Sequence, residues 1–338
     1  MKKKQTQASP ELREDLVSGD WILIAPGRSN RPDQFVVKEE RKIAPIDTCP
    51  FEDPQASGNA PALIRIPADT GKDWEIQLIP NKYPAVSVDG KLTDGHHGPY
   101  PVRSGVGYHD VLITRDHFKN FAEISPEKAF LVFKTFQERY REVAKDKRIA
   151  YISIFHNWGP KAGASLFHPH YQIISIPVIP PDVGHSLEGS TRYLKKNKRC
   201  VHCDIIGFEI AEKKRIIFEN KEAVVFTPFV SREPFEFRVF PKKHMPFFED
   251  TPEKELRLIV QALHKSINLF EKRFKNTDYN FFIHTAPTRD KKKYGHYHWH
   301  IEIQPKISIP AGFELGTGIE ITVVDPNEAA AFIRGNKK

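Results

Sequence analysis

The sequence predicts an α+β protein built as two tandem, homologous halves, and three observations predict it. A strand-like run ending in histidine occurs twice, at residues 108–117 and 235–244. Each run leads through a short loop into an amphipathic helix with a polar start, after Ile124-Ser125-Pro126-Glu127 and Asp250-Thr251-Pro252-Glu253. Each helix is followed by two β-rich segments, the second carrying a His-x-His pattern at nearly the same separation from the first histidine (117 to 168, 244 to 296). An ordered repeat of strand, histidine, capped helix, strand and His-x-His is the signature of duplication rather than chance.

Length and composition agree. A chain of 338 residues is long for one core and suits two domains. With 39% hydrophobic residues, 11% aromatics and 24 Phe it can build a real core, which excludes global disorder. The net charge of +8 fits a protein that handles anions without choosing among nucleotides, sugar phosphates and nucleic acid. Met1-Lys2-Lys3-Lys4 is followed by polar residues, so neither a signal peptide nor a membrane span is expected. Three cysteines, Cys49, Cys200 and Cys203, are too few for a disulfide scaffold and suggest a reducing cytoplasm.

The elements follow in order. Ser125 and Thr251 are expected N-caps, with Pro126 and Pro252 at the first helical position. Ala129, Val132, Phe133, Phe136, Tyr140 and Val143 form one apolar stripe, and Leu256, Ile259, Leu263, Ile267 and Phe270 the other. Strands are expected at 149–156 and 168–174 in one half, and at 279–284 and 296–303 in the other. Residues 180–198, with Pro180-Pro181, Gly184, Gly189 and a basic run, read as a linker.

In an extended strand alternate side chains share a face, so His168, His170 and Gln172 would project together, as would His296, His298 and His300. Such groups are costly to bury without partners, which gives them two chemical uses. One is metal. Cys200, Cys203, His244 and His296 make a Cys2His2 set suited to tetrahedral zinc, and Cys49, Glu52, His117 and His168 a matching set with a carboxylate in place of one thiol. Closed four-ligand sites of this kind are structural. The other use is nucleophilic. A neutral imidazole at His170 can attack phosphorus, while Gln172, Ser165 and the backbone of residues 159–165 donate to the phosphoryl oxygens.

The run Asn157-Trp158-Gly159-Pro160-Lys161-Ala162-Gly163-Ala164-Ser165-Leu166-Phe167-His168-Pro169-His170-Tyr171-Gln172 resembles the active-site motif of galactose-1-phosphate uridylyltransferases, the transferase branch of the histidine-triad superfamily. Supporting pieces run in order along most of the chain: residues 19–32, Cys49-Pro50-Phe51, residues 79–84 and residues 311–318. The resemblance implies two tandem histidine-triad-like domains, each an antiparallel sheet with a packed amphipathic helix: a catalytic one over 1–185 and a second over 186–338. It implies a zinc-containing homodimer with shared active sites and a ping-pong transfer of a nucleoside monophosphate between a nucleotide sugar and a hexose 1-phosphate. Carried over by position, His170 is the nucleophile, and Gln172 and Ser165 contact the phosphoryl group. Asn157 and Gly163 line the nucleotide loop, Asn81 holds the nucleoside, and Phe313 and Glu314 lie near the sugar. Arg28 and Arg31 contact phosphate from the neighbouring subunit.

Two departures bear on the chemistry. Glu52 stands where many members have cysteine, and the second half keeps a His296-x-His298-x-His300 triplet, so His298 is a relic, a metal neighbour or a second reactive site. UDP and ADP both stay open as the nucleotide. A dinucleoside polyphosphate phosphorylase or hydrolase is the first rival, though Gln172, unlike histidine, cannot act as an acid toward a leaving group. The second is a nucleic-acid-binding module using Lys2–Lys4, residues 195–199 and Lys291–Lys293. Those runs are short and lack interleaved aromatics.

Overall fold

The computed structural model describes residues 9–28, 43–67 and 74–335. Arg31 and Lys2–Lys4 lie outside them. The elements in chain order are β1 (Glu11–Glu14), β2 (Trp21–Ile24), β3 (Ile64–Ile66), β4 (Ile76–Pro80), β5 (Asp94–His97), β6 (Tyr100–Arg103), β7 (His109–Thr114), α1 (Pro126–Val143), β8 (Tyr151–Trp158) and β9 (His170–Ile176). Then come α2 (Pro181–Asn197), α3 (Val201–Glu212), β10 (Ile216–Glu219), β11 (Ala223–Phe226), β12 (Phe237–Pro241), α4 (Glu253–Arg273), β13 (Tyr279–His284), β14 (His300–Pro305), α5 (Gly312–Thr317), β15 (Ile321–Thr322) and α6 (Pro326–Arg334).

The duplication is visible in one antiparallel sheet of order β10-β11-β12-β14-β13-β8-β9-β7-β4-β3. Five strands of one half meet five of the other at the β13–β8 seam, where Tyr279 pairs with Trp158 and Ile283 with Ile154. One face carries α1 and α4. The apolar stripes of both helices are buried as the periodicity requires, together with Leu112, Ile152, Ile154, Tyr171, Ile173, Phe281, Ile283, Ile301 and Ile303 from the strands. Burying each large side chain there contributes roughly 2–3 kcal/mol. The opposite face, which includes Val111, Ile113, His170 and Gln172, carries the chemistry, because Val111 pairs with Gln172 and Ile113 with His170.

One local expectation holds and others change. Ser125 caps α1, its hydroxyl accepting from Lys128 N–H at 3.2 Å. The second helix starts later: Pro252 is its N-cap residue and Thr251 makes no cap bond. The stretch read as a linker is α2, which buries Val183, Leu187, Gly189 and Ser190. Gly189 is a packing residue, since a Cβ there would lie 1.5 Å from Val17 O. The N-terminal segment also crosses to the second half. The β2 strand pairs with β15, Arg13 reaches Phe229 O at 2.7 Å, and Asp20 pairs with Arg232 at 2.5 Å, so residues 11–24 pack on the second half.

Gly189→Ala gives a diagnostic sign. In an ordinary helix the change would stabilise by about 1 kcal/mol. Here the forced separation of α2 from the Val17 backbone should cost ~1–3 kcal/mol net, read as a lower unfolding midpoint. An unchanged or raised midpoint would show that the contact is not tight.

Candidate active site and metal-ligand clusters

His170 opens β9 and is 6% exposed. Its Nδ1–H donates to His168 O at 2.9 Å, which leaves Nε2 with a free lone pair. Among the described residues no hydrogen bond engages that atom. Burial pushes the His170 pKa down, against the pull of the His168 carbonyl, so the ring is neutral. The Phe51 ring packs against it in an edge-to-face arrangement with centroids 5.5 Å apart, and the His170 carbonyl accepts from His156 Nδ1 at 2.7 Å. A neutral imidazole with a fixed tautomer and a free ring nitrogen is a nucleophile ready for phosphorus.

Gln172 follows on the same face. His109, at the start of β7, lies 2.9 Å from its Oε1 through Nε2, and Asn81 Nδ2 lies 3.0 Å from the same ring nitrogen. The small-residue loop comes between β8 and β9. Gly163 has φ +86°, a conformation that suits glycine. The loop is tied to the seam by Asn280, whose amide donates to Asn157 Oδ1 and to Ala162 O, both at 2.8 Å. Ser165 is exposed at the end of that loop. The structure thus brings His170, Gln172, Asn81, Asn157 and Gly163 to one face and one edge, with Ser165 on the same loop. Arg28 is exposed in the turn Pro26–Arg28 beyond β2. Phe313 and Glu314 lie on α5, where Phe313 is 47% exposed and Glu314 closes a bond to Ala311 N–H at 3.0 Å. No contact joins these three to the His170 cluster among the described residues.

Two clusters fit a metal ion. In the first, the ligand atoms of Cys49, Glu52, His117 and His168 lie within 4.8 Å of one another. His117 Nδ1 is 3.0 Å from Glu52 Oε1, and His168 Nδ1 is 3.4 Å from Cys49 Sγ. Both rings turn Nε2 outward, to Ala44 O at 3.0 Å and Thr114 O at 2.7 Å. A carbonyl partner fixes the proton on Nε2 and aims the Nδ1 lone pair inward, as a metal requires. Burial holds His168 down at about 4, so it too is neutral.

The second cluster corrects the sequence reading. Its members are Cys200, Cys203, His244 and His298, not His296. Cys203 Sγ is 3.4 Å from His244 Nδ1 and 3.5 Å from His298 Nδ1, while the outer nitrogens bond Gly295 O and Pro241 O, both at 2.9 Å. His296 turns away to Thr191 Oγ1 at 3.0 Å. The reason is strand register. The chain leaves the turn Lys291–Tyr294 with Tyr297 N–H bonded back to Tyr294 O, and β14 begins only at His300. The halves therefore align His168 with His298, His170 with His300, and Gln172 with Glu302.

That alignment removes His298 as a reactive site and tests His300 instead. His300 donates Nδ1–H to His298 O at 3.1 Å, as His170 does to His168 O. Its Nε2, however, faces Glu302 Oε1 at 3.2 Å. Burial opposes ionisation of Glu302, but Arg238 and the neighbouring imidazoles outweigh it and hold the carboxyl well below its usual range. A cavity of about 100 Å³ beside His300 is lined by Glu302, Asp15 and Asp182 as well as Arg232 and Arg238. A carboxylate there repels a phosphoryl group and engages the nitrogen that would attack, which disfavours His300 and leaves His170 as the candidate nucleophile.

Residues 1–180 match the family described as galactose-1-phosphate uridyl transferase, N-terminal domain. The chain belongs to that family. Residues 102–334 also match a domain of unknown function. An ADP-glucose phosphorylase of Arabidopsis thaliana is 32% identical, over 96% of this chain and 93% of its own. A galactose-1-phosphate uridylyltransferase of Thermotoga maritima is 23% identical, over 96% and 98%. The solved structure of an Arabidopsis thaliana ADP-glucose phosphorylase with bound ADP-glucose superposes with a TM-score of 0.82 at 29% identity, covering 98% of this chain and all of that one. These relatives are nucleotidyltransferases, and this member of the uridylyltransferase family is an enzyme of that kind.

Sequence reasoning missed His109, Asn280, Glu302 and Arg238. The signal for Glu302 was present, since His300-Ile301-Glu302 repeats the pattern of His170-Tyr171-Gln172. His109 and Asn280 carried none, because each acts by touching a residue far away in sequence.

Proposed function

We propose that the protein moves a nucleoside monophosphate between a nucleotide sugar and a phosphate acceptor, a hexose 1-phosphate or inorganic phosphate, through a covalent nucleotidyl-His170. The single observation that carries this is the buried His170 ring, with Nδ1–H spent on His168 O and no hydrogen bond on Nε2 among the described residues. Nε2 attacks the phosphorus next to the nucleoside. A P–N bond forms, the P–O bond to the sugar phosphate breaks, and the sugar 1-phosphate departs with the electron pair. The positive charge on the ring is spread toward Nδ1–H and its carbonyl. An oxygen of the second phosphate then attacks, the P–N bond breaks, and the ring returns to neutral. No proton donor is needed for either leaving group, which agrees with an amide at Gln172 rather than an acid. Gln172 and Ser165 hold the transferred group, and Asn157, Gly163 and Asn81 hold the nucleotide.

Zinc suits both clusters by donor chemistry, two thiols with two imidazoles in one and a carboxylate in place of a thiol in the other. Zinc held there by Cys49, Glu52, His117 and His168 would supply a fixed frame, tying His168 to residues 49–52, and His168 supplies the carbonyl that orients His170. The exposure of Arg28 and Phe313, which make no contact with the His170 cluster among the described residues, supports a homodimer in which they and Glu314 complete the partner's site. We read residues 1–185 as the catalytic half and 186–338 as the second half, in a cytoplasmic protein. The basic-patch alternative loses force because Lys291 is neutralised by Glu249 and Asp250 and Arg199 pairs with Asp204.

The adenylyl reading draws on the 32% identity to the ADP-glucose phosphorylase, the uridylyl reading on the family match. Incubation with UDP-glucose, UDP-galactose, ADP-glucose or a dinucleoside tetraphosphate, followed by intact-mass measurement, decides between them. A UMP adduct supports the first pair, and an AMP adduct supports ADP-glucose or the dinucleotide. A folded protein that takes no adduct from any of the four overturns the proposal.

A further inference from the structure

We propose that His109 is a positioning residue for the transfer, which holds the Gln172 side chain with its amide N–H turned toward the phosphoryl group. The inference rests on the reading of Gln172 as a phosphoryl contact and adds the group that makes that contact directional. A glutamine amide is two-faced, since its oxygen and nitrogen ends have the same shape and only the nitrogen end can donate to a phosphoryl oxygen. Something must choose the end.

The local hydrogen bonds make that choice. Ala85 N–H donates to His109 Nδ1 at 3.1 Å. A backbone N–H can only donate, so Nδ1 carries the lone pair and Nε2 carries the proton. Nε2 lies 2.9 Å from Gln172 Oε1. The other neighbour of Nε2 is Asn81 Nδ2 at 3.0 Å. The Asn81 oxygen already accepts from Tyr83 N–H at 2.8 Å, so the nitrogen end of that amide faces His109 and cannot take its proton. The proton goes to Gln172 Oε1, and the Gln172 nitrogen is left to the substrate. The sheet makes the reach possible. His109 pairs with Ile174 and Val111 with Gln172, so His109 and Gln172 are diagonal neighbours on one face.

The second half supports the assignment. There Gln172 is replaced by Glu302, and Glu236, the residue just before β12, and Arg238 within it stand where β7 has His109 and Val111. Arg238 bonds Glu236 Oε1 at 2.9 Å and reaches Glu302 Oε1 at 3.2 Å. The group at the phosphoryl-contact position and its holder differ together between the halves: an amide with an imidazole, a carboxylate with a guanidinium.

The test is single-turnover nucleotidylation with whichever of UDP-glucose or ADP-glucose labels the parent protein. His109→Asn places an oxygen near Nδ1, keeping an acceptor for Ala85 N–H, but loses the donor to Gln172. Adduct formation should slow ~10–100-fold, somewhat less than the loss of a whole oxyanion donor, with KM and the unfolding midpoint nearly unchanged. His109→Gln reaches Gln172 but not Ala85 N–H, and should keep the rate within about threefold while lowering the midpoint. In a Gln172→Ala background, His109→Asn should change the rate less than about twofold, because its only route of action is gone. Rates that follow the midpoints in both variants, or a full additive loss in the Gln172→Ala background, overturn the proposal and leave His109 a structural anchor. A parent that labels while His109→Asn labels equally fast removes this inference alone. A parent that labels with neither nucleotide sugar removes the transfer reading beneath it.

Discussion

His170→Asn should lower the rate of nucleotidyl-enzyme formation by ~10⁴-fold or more, as removal of a covalent nucleophile does elsewhere. Asparagine can still donate to His168 O from near the Nδ1 position, so β9 and the unfolding midpoint should be preserved and the loss should be one of chemistry alone. His300→Asn is the matched control and should label like the parent, because Glu302 already occupies the ring nitrogen that would attack. Intact-mass kinetics on the two variants separate the halves of the duplication. Labelling that survives in His170→Asn and vanishes in His300→Asn would reverse the assignment. The pH dependence has a definite sign. Burial depresses the His170 pKa, so the neutral nucleophile persists as pH falls through the ordinary histidine value of about 6.5. The acid limb of adduct formation should therefore lie below that value in the parent. An acid limb at or above it would mean that the ring is not shielded as the structure has it.

What the sequence made legible was whatever had a period or a pattern. The helix stripes at Phe133 and Phe136 and at Ile259 and Leu263 went into one core because a 3.6-residue repeat of apolar groups has no other stable use. The run from Asn157 to Gln172 pointed to the family because its small residues and histidines serve neither a core strand nor a solvent face. The fourth member of the second candidate cluster was missed because His296, His298 and His300 alternate identically, and the choice among them depends on where β14 begins. That point is set by Tyr297 bonding back to Tyr294, a turn with no outward sign. Gly189 misled for a related reason. Glycine in a Pro- and Lys-rich stretch suggests a linker, whereas here it clears room for the Val17 carbonyl, a contact made by a segment more than 170 residues earlier. The His109–Gln172 contact was hidden in the same way, since a diagonal pair across two strands appears only once the register is known.

Cys200→Ser should release a tightly held zinc and cost more stability than any core substitution of similar size. The hydrogen bond with Cys203, followed by those with His244 and His298, pulls the Cys200 thiol toward thiolate against its burial, which is the state a zinc ion needs. The two imidazoles are already turned with Nδ1 inward by Gly295 O and Pro241 O. A zinc ion would therefore meet a preformed site in the folded chain, and its binding energy would add to folding: about 4 kcal/mol when free zinc exceeds Kd a thousandfold. The first cluster has one thiol in place of two, and burial raises Cys49 away from the thiolate form. Its zinc should leave first under a chelator. Metal analysis during chelation should show two steps, with the early one abolished in Glu52→Ala and the late one abolished in Cys200→Ser. The early step should also slow adduct formation before any loss of fold, because His168 belongs to that cluster and its carbonyl orients the His170 ring. Simultaneous release from both clusters, or early release that leaves the labelling rate untouched, would separate the metal from the nucleophile.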